Sequence, residues 1–332
     1  MRCPKLNELP PPPQDKTGWP WTVESPQLPN VMQNGELWPR VSIVTPSYNQ
    51  GKFIEETIRS VLLQGYPDLE YIIMDGGSTD NSVKVIRKYE AWISYWLSEP
   101  DRGQSHAINK GFKLASGSII AWLNSDDVYK LDIFSKLIPH MKGSDWIIGE
   151  LEASDENGNF YNYKIPHFYT DKKSRCLKNK LQRSSVNQPA NFWSNHFIEK
   201  VGLLNENLHY NFDAEWFLRA HALGIQPKIV SICIVRYRYH TDSKTVSSQR
   251  WKFSYEAAKY LPLLGLKGTL SLLPSLKAGY SYLQQALKSM CDCYYENGDK
   301  WKSLIPLVFS WLMSMRIRGG YWFRLRRVIN GN

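Results

Sequence analysis

"RVSIVTPSYNQGKFIEETIRSVLLQGYPDLEYIIMDGGSTDNS" (residues 40–82) sets a β-branched run ended by Pro46 before a helical stripe, and a second apolar run after it. In "FIEETIRSVLLQ" (53–64), Phe53, Ile54, Ile58, Val61 and Leu62 recur at the period of one helix face. "DLEYIIMD" (68–75) then reads as a second strand. A strand, a helix and a strand in 36 residues make a unit that closes most simply as two parallel strands with a crossover helix.

The alternation continues outward from this unit. "STDNSVKVIRKYEAW" (78–92) opens with Ser78, Thr79 or Asp80 as a helix cap, and "ISYWLSEP" (93–100) is a third strand. "GQSHAINKGFKLAS" (103–116) is a helix ending near Gly117, and "GSIIAWL" (117–123) a fourth strand. This pattern predicts an α/β fold built on a Rossmann-like, mostly parallel sheet with helices on both faces.

In such a sheet, ligands sit at the carboxyl ends of the strands. The first strand ends at Thr45-Pro46-Ser47-Tyr48-Asn49 and the second at Asp75-Gly76-Gly77. The third leads into Asp101-Arg102-Gly103 and the fourth into Asn124-Ser125-Asp126-Asp127. One aspartate at a strand end is ordinary turn chemistry. Polar groups at four successive ends converge on one crevice and predict a shared ligand.

The sequence contains neither G-x-G-x-x-G nor a Walker A run, which removes the main support for dinucleotide and P-loop readings. Adjacent carboxylates suit a hard divalent cation, Mg²⁺ or Mn²⁺, whose shell is completed by phosphate oxygens and water. A diphosphate fits that description. Asp75, beside two glycines that permit close approach, is placed to accept the N3–H of a uracil ring, and Arg102 to neutralise phosphate.

Composition agrees with a globular protein: 332 residues, 42% of them hydrophobic. Its five cysteines form no C-x-x-C pair, which argues against a disulfide framework or a zinc site and for a reducing cytosol. Residues 1–38, with four prolines in a row at 10–13, read as an extended arm that Trp19, Trp21 and Trp38 pin to the domain surface. The net charge of +10 is concentrated in residues 251–332, which hold 12 Lys/Arg against 4 Asp/Glu. There an apolar run, "SLIPLVFSWLMSM" (303–315), too short to span a bilayer, precedes "RIRGGYWFRLRR" (316–327). Three readings stay open for this tail: contact with an anionic membrane surface, a helical pair packed on the core, or a nucleic-acid patch. No nucleic-acid-binding signature accompanies it, and no nucleic-acid partner is expected.

From residue 40 to about 245 the chain resembles the inverting family-2 glycosyltransferases of GT-A type, which use nucleotide-sugar donors. The resemblance is carried by the opening stretch and by "EPDRGQSHAINKGFKLASGSIIAWLNSDD" (99–127), which runs through the family's DxD-type metal motif. It implies that Thr45, Pro46 and Tyr48 border the nucleoside and that Asp75 contacts the base. It also implies that Arg102 lies near the diphosphate and that Asp126 and Asp127 hold ribose and metal. Asn124 stands where many relatives have a third aspartate.

The second half then supplies the acceptor site. Gln188-Pro189 precedes an aromatic stretch, and "FDAEWFLR" (212–219) resembles the segment around the family's "ED" motif. Aligned through Arg219, Asp213 takes the place of the catalytic carboxylate, and Phe212 replaces the usual glutamate beside it. Glu215 is the competitor; two residues apart on a helix, the two cannot share a face. Gln188 and Glu215 are the expected acceptor contacts. "RYRYHTDSKT" (236–245) matches a segment that returns over the active site in relatives. This makes His240 a metal or phosphate contact and Lys244 a phosphate contact, with a purely structural His240 kept open.

The expected activity is transfer of a sugar from a nucleotide-diphosphate sugar, most simply a UDP-sugar, with inversion and with Asp213 as base. The expected acceptor is a glycan or a lipid-linked molecule of cell-surface polysaccharide synthesis, met by an enzyme held peripherally on the cytoplasmic face of the plasma membrane. Nucleotidyl transfer to a sugar phosphate competes, but it calls for a Gly-rich loop where "TPSYNQGKF" stands. A non-catalytic nucleotide-sugar-binding module on a membrane surface is the other alternative, against which the retained Asp75, Asp126, Asp127 and Asp213 weigh. The expected organisation is an arm (1–38), a GT-A domain (39–248) with a nucleotide-sugar half (39–130) and an acceptor half (131–248), and a basic helical extension (249–332).

Overall fold

The computed structural model describes residues 1–156, 158–161, 188–241, 243–244, 251–266, 272–296, 302 and 306. The chain divides into two units, Met1–Tyr169 with Ser185–Arg238, and Thr170–Ser184 with Tyr239–Asn332. The first unit opens with β1 (Val41–Ser47), α1 (Ile54–Leu62), β2 (Leu69–Asp75), α2 (Ser82–Lys88), β3 (Tyr95–Ser98), α3 (Gln104–Leu114) and β4 (Ile119–Trp122). It continues with β5 (Val128–Tyr129), α4 (Ile133–Leu137), β6 (Trp146–Asp155) and β7 (Phe160–Tyr161). Beyond these come β8 (Asn191–Ser194), α5 (Asn195–Val201), α6 (Phe212–Ala222) and β9 (Lys228–Tyr239).

The strands form one sheet in the order β3-β2-β1-β4-β8-β6-β9-β5, with β7 on β6. The expected α/β architecture is present: β3, β2, β1 and β4 run parallel. The second half adds antiparallel pairings of β8 with β4 and β6, of β7 with β6, and of β5 with β9. All seven residues of β1 are buried, as a strand covered on both faces requires.

The register places the crevice. β1 pairs with β2 as far as Ser47 opposite Asp75, but with β4 only as far as Val44 opposite Trp122. The last tie across that boundary is the Leu123 N–H to the Val44 carbonyl, 2.9 Å. Beyond it β1 continues on β2 alone, and Pro46, with no N–H to offer, falls where β4 is no longer a partner. Strand order also reverses between β1 and β4, the place where open α/β sheets bind ligands.

Three elements differ in detail from the sequence reading. The second helix begins at Ser82, and its cap residue Asn81 makes no side-chain cap bond. Asp80 instead accepts the Ser82 N–H at 2.9 Å and the Gly51 N–H at 2.8 Å, tying the helix start to the loop after β1. β9 runs on through "RYRY", because Val235 and Arg236 pair with β5. Polar side chains on both flanks of the apolar stripe of α1 are buried too: Thr57, Ser60 and, just past the helix, Gln64 on one side, and Arg59 on the other.

Residues 1–38 lie in the first unit. The Cys3 N–H meets the Tyr66 carbonyl at 2.8 Å, Ser25 the Leu63 carbonyl at 3.0 Å, and Leu28 the Gly65 carbonyl at 2.9 Å. Gly65 is required here: its φ is +65°, and a Cβ on it would lie 2.1 Å from the Pro26 oxygen. Trp21 is buried, and Trp38 packs edge-on against Tyr66 at 5.5 Å.

The second unit contains α7 (Trp251–Leu266) and α8 (Leu272–Glu296). They meet where Gly279 comes so close to Pro262 that a Cβ would lie 2.6 Å from its ring. Tyr255 is exposed, with the Lys259 ammonium 4.6 Å from its ring centre. Among the described residues, no helix is long and apolar enough to cross a membrane. Apart from Pro306, the run 303–315 and the arginines of 316–327 lie outside the described residues.

Candidate functional site at the parting of β1 and β4

The two sides of the crevice are the end of β1 and the "NSDD" loop after β4. In that loop the adjacent aspartates are treated differently: Asp126 is partly exposed and Asp127 is inaccessible. Asp127 Oδ1 accepts the Arg238 N–H at 3.2 Å and Oδ2 accepts from the Asn124 amide at 3.3 Å. Burial and the adjoining Asp126 push the Asp127 carboxyl well above the usual carboxylate range, against the pull of the Arg238 N–H and guanidinium.

Asn124 is the centre of an amide network. Its nitrogen also donates to Gln188 Oε1 at 3.1 Å, and its oxygen accepts from Gln104 Nε2 at 2.8 Å. Gln188 in turn donates to the Trp122 carbonyl at 3.1 Å. Both functions of the Gln188 amide are thus engaged in holding the loop, and its side chain is buried.

The ends of β1 and β2 are laced together. Asn49, at φ +52°, accepts the Thr79 N–H on its side chain at 2.9 Å and gives its own N–H to Ser78 at 2.7 Å. Tyr48 stands 61% exposed beside this join. Thr45 is buried, its hydroxyl 3.2 Å from that of Tyr71. Asp75 is buried and shapes its own loop: Oδ2 accepts from the Gly77 and Ser78 N–H groups and the Ser98 hydroxyl, and Oδ1 from the Ser78 hydroxyl. With one bond at Oδ1, that oxygen retains capacity for a second donor.

Arg102 is 69% exposed and pairs with Glu206, a residue the sequence reading did not single out. Glu206 also accepts from the buried Asn109 amide at 2.9 Å. That hydrogen bond, and then Arg102, hold its carboxyl below the usual range. Asn109 exchanges two further bonds with the Leu204 backbone, each 2.9 Å. In this way α3, whose first residue Gln104 reaches Asn124, also anchors the segment leading into α6.

On α6 the two candidate carboxylates have different surroundings. Glu215 is buried, and the Arg219 Nε–H lies 2.9 and 3.1 Å from its two oxygens. Arg219 extends to the carbonyls of Val201 and Leu203, at 2.6 and 2.7 Å, so Glu215 belongs to a clasp on the end of α5. Asp213, in the first turn, is partly exposed and accepts the Ala214 N–H at 2.7 Å. Trp216 fixes the helix to the sheet, 4.9 Å from Trp193 and 5.6 Å from Trp122 between ring centres. His240 follows β9 in the second unit, its carbonyl accepting the Ser243 N–H at 3.0 Å.

The donor set bears on a metal. Among the described residues no three His, Cys, Asp or Glu side chains cluster to hold an ion. Asp127 is inaccessible with both oxygens hydrogen-bonded, so the partly exposed Asp126 is the carboxylate of this pair that fits a cation bringing most of its own shell, as Mg²⁺ or Mn²⁺ does when it arrives on phosphate oxygens. A resident, all-protein cage does not fit.

The sequence reading also passed over Glu56, which pairs with Arg236 and, at 2.8 Å, with Arg238. The Arg238 guanidinium lies 4.7 Å from the Phe53 ring centre. Alternating arginines in "RYRY" at a strand end, opposite a glutamate one turn into α1, were the available signal.

The family model described as Glycosyl transferase family 2 matches residues 42–202. The glycosyltransferase GlyG of Streptococcus pneumoniae is 30% identical over 234 residues, 65% of this chain and 75% of GlyG. The putative teichuronic acid biosynthesis glycosyltransferase TuaG of Bacillus subtilis is 40% identical over 106 residues, 31% of this chain and 42% of TuaG. Among solved structures, S. aureus TarS 1–349 in complex with UDP-GlcNAc has a similar fold, with a TM-score of 0.54 at 14% identity over 83% of this chain and 92% of that one.

Proposed function

The chain belongs to glycosyl transferase family 2 and is a glycosyltransferase, and on that premise we propose that it moves a sugar from a UDP-sugar to a glycan or lipid-linked acceptor, with inversion. The observation that carries the donor reading is the parting of β1 and β4 after Val44, which opens a crevice between the β1 end and the Asn124–Asp127 loop. That TarS, of similar fold, is solved with UDP-GlcNAc and with UDP supports a uridine nucleotide. Asp75, with Oδ1 able to take a second donor, is the proposed partner of the base; Thr45, Pro46 and Tyr48 border the nucleoside.

An acceptor hydroxyl is a weak nucleophile near neutral pH, so a carboxylate must take its proton as it attacks the anomeric carbon. Asp213 is the proposed base, because Glu215 is occupied by Arg219. One attack from the face opposite the leaving group inverts the anomeric centre. Arg102 is the proposed counter-charge to the departing diphosphate, exchanging its pair with Glu206 for phosphate. When bound, a divalent cation held by Asp126, with Asp127 fixing the loop behind it, would supply positive charge against that diphosphate. Gln188, expected at the acceptor, is instead proposed to steady the donor loop through Asn124.

The acceptor reading takes support from TuaG, whose name places it in teichuronic acid biosynthesis. The basic excess of residues 251–332 supports peripheral contact with the cytoplasmic membrane face. The deciding experiment is titration calorimetry with UDP and Mn²⁺, repeated after EDTA, followed by a donor screen read by released nucleoside diphosphate with and without a lipid extract. Metal-dependent UDP binding and one donor consumed above background support the assignment; binding indifferent to nucleotide and metal overturns it.

A further inference from the structure

We propose that the N-terminal arm is a positioning element for the Asp126–Asp127 loop, with Trp19 and Ser25 holding from outside a backbone segment that α1 holds from within. The inference rests on the reading of that loop as the seat of the donor's metal diphosphate. The inner grip comes from three polar side chains at i, i+3 and i+7 along α1. The Thr57 hydroxyl donates to the Asp127 carbonyl at 2.7 Å, and the Ser60 hydroxyl accepts the Tyr129 N–H at 3.1 Å. Gln64 donates to the Lys130 carbonyl at 2.9 Å and accepts the Ile133 N–H at 3.0 Å. All three are inaccessible to solvent.

The arm completes the set. The Trp19 indole N–H donates to the Tyr129 carbonyl at 2.7 Å, and the Ser25 hydroxyl accepts the Asp132 N–H at 2.9 Å. These bonds join the Lys130 N–H on the Ile234 carbonyl at 2.8 Å and the β5–β9 pairing in holding the backbone from Asp127 to Ile133, and two of them come from the arm. These two reach the segment from residues 1–38, which precede the part of the chain shared with the family.

The arm is itself fastened to the same helix. Arg59, fully buried in α1, donates to the carbonyls of Pro10, Pro20 and Trp21 at 2.9, 3.0 and 2.9 Å, with its guanidinium 5.5 Å from the Trp21 ring centre. One helix thus grips the loop along one face and the arm along another. A carboxylate that must meet a cation within a few tenths of an ångström benefits from a backbone that cannot drift.

The test uses the full-length double variant Trp19→Phe/Ser25→Ala, which keeps bulk and removes one donor and one acceptor. UDP affinity, the Mn²⁺ concentration for half-maximal UDP binding, and amide hydrogen exchange of residues 127–133 are measured well below the unfolding temperature. The expected result is exchange about tenfold faster in that segment, UDP binding about fivefold weaker, and a Mn²⁺ half-saturation raised several-fold. A comparison variant, Leu9→Ala, removes a buried arm side chain and keeps both arm hydrogen bonds to the segment; it lowers the unfolding temperature and leaves the Mn²⁺ half-saturation unchanged. Wild-type exchange and metal dependence in the double variant overturn the proposal, as does an equal metal shift in Leu9→Ala. Wild-type protein that does not bind UDP defeats the donor reading and with it the link to the donor, while the exchange rates still decide whether the arm holds the loop.

Discussion

Asn124 donates its amide to Asp127 Oδ2 at 3.3 Å, so the residue that breaks the run of acids in this loop is the one that holds the buried acid in place. An aspartate at 124 would set acceptor against acceptor, toward Asp127 and toward Gln188 alike. Asn124→Asp is therefore expected to lower stability by about 1–3 kcal/mol. The double variant Asn124→Asp/Asp127→Asn reverses the donor and acceptor and should recover at least half of the loss. Chemical denaturation of the wild type and both variants checks this.

The proposed base separates from its neighbour by what each substitution damages. Asp213→Asn should reduce turnover by roughly a hundredfold or more, with UDP affinity and unfolding temperature unchanged. Glu215→Ala leaves Arg219 without its carboxylate and should cost roughly 3 kcal/mol of stability. Turnover measured alongside thermal unfolding decides it. Asp213→Asn with full turnover would end the assignment.

Asp126 is the more accessible of the paired acids, and its substitution should be felt by the donor rather than by the fold. Asp126→Asn is expected to weaken Mn²⁺-dependent UDP binding at least tenfold, about 1.4 kcal/mol, at an unchanged unfolding temperature. Calorimetry with and without EDTA is the measurement.

Glu206 gives a pH dependence with a definite sign. Its folded-state carboxyl titrates below the ordinary 4.5, through the Asn109 amide first and Arg102 second. The stability this contributes is present above the ordinary glutamate range and is lost as the pH falls through the folded-state value. Glu206→Gln should accordingly be less stable than the wild type at neutral pH, and the difference should close as the solution is acidified. Because the amide bond is the larger cause, added salt should change the difference little.

Arg59 predicts how the arm comes free. Arg59→Lys keeps the charge but cannot span the carbonyls of Pro10, Pro20 and Trp21, and it should cost roughly 3 kcal/mol. Limited trypsin digestion should then cut at Lys16, which is exposed in the wild type on an arm tied down on both sides. An unchanged digestion pattern would show that the arm is held without it.

The first four strands and the helices between them were legible because each apolar run has one period and ends at a turn residue. Where the chain departed from that reading, a polar group had a partner distant in sequence. Thr57, Ser60 and Gln64 sit on a helix face that periodicity assigns to solvent, yet they meet backbone some 70 residues on. The Asp126–Asp127 loop could be located from its residues, but the burial of one acid and the exposure of the other could not. That difference depends on Arg238, which β9 brings in from 111 positions away. Likewise Gln188 and Glu215 were found as polar residues in the right segments. Their hydrogen bonds go to Asn124, Trp122 and Arg219, contacts that only the folded chain specifies.

The stacked indoles of Trp122 and Trp193, 4.8 Å apart and inclined by 22°, lie directly beneath the loop that Asn124 organises. With Trp216 4.9 Å from Trp193 and 5.6 Å from Trp122, the three indoles form one cluster whose coupled near-ultraviolet circular dichroism should follow its packing. Gln188 is hydrogen-bonded to the Trp122 carbonyl and to Asn124, so a movement of the loop is transmitted to the pair within two hydrogen bonds. The molecule thus carries an optical gauge of its own crevice, readable in solution without any label.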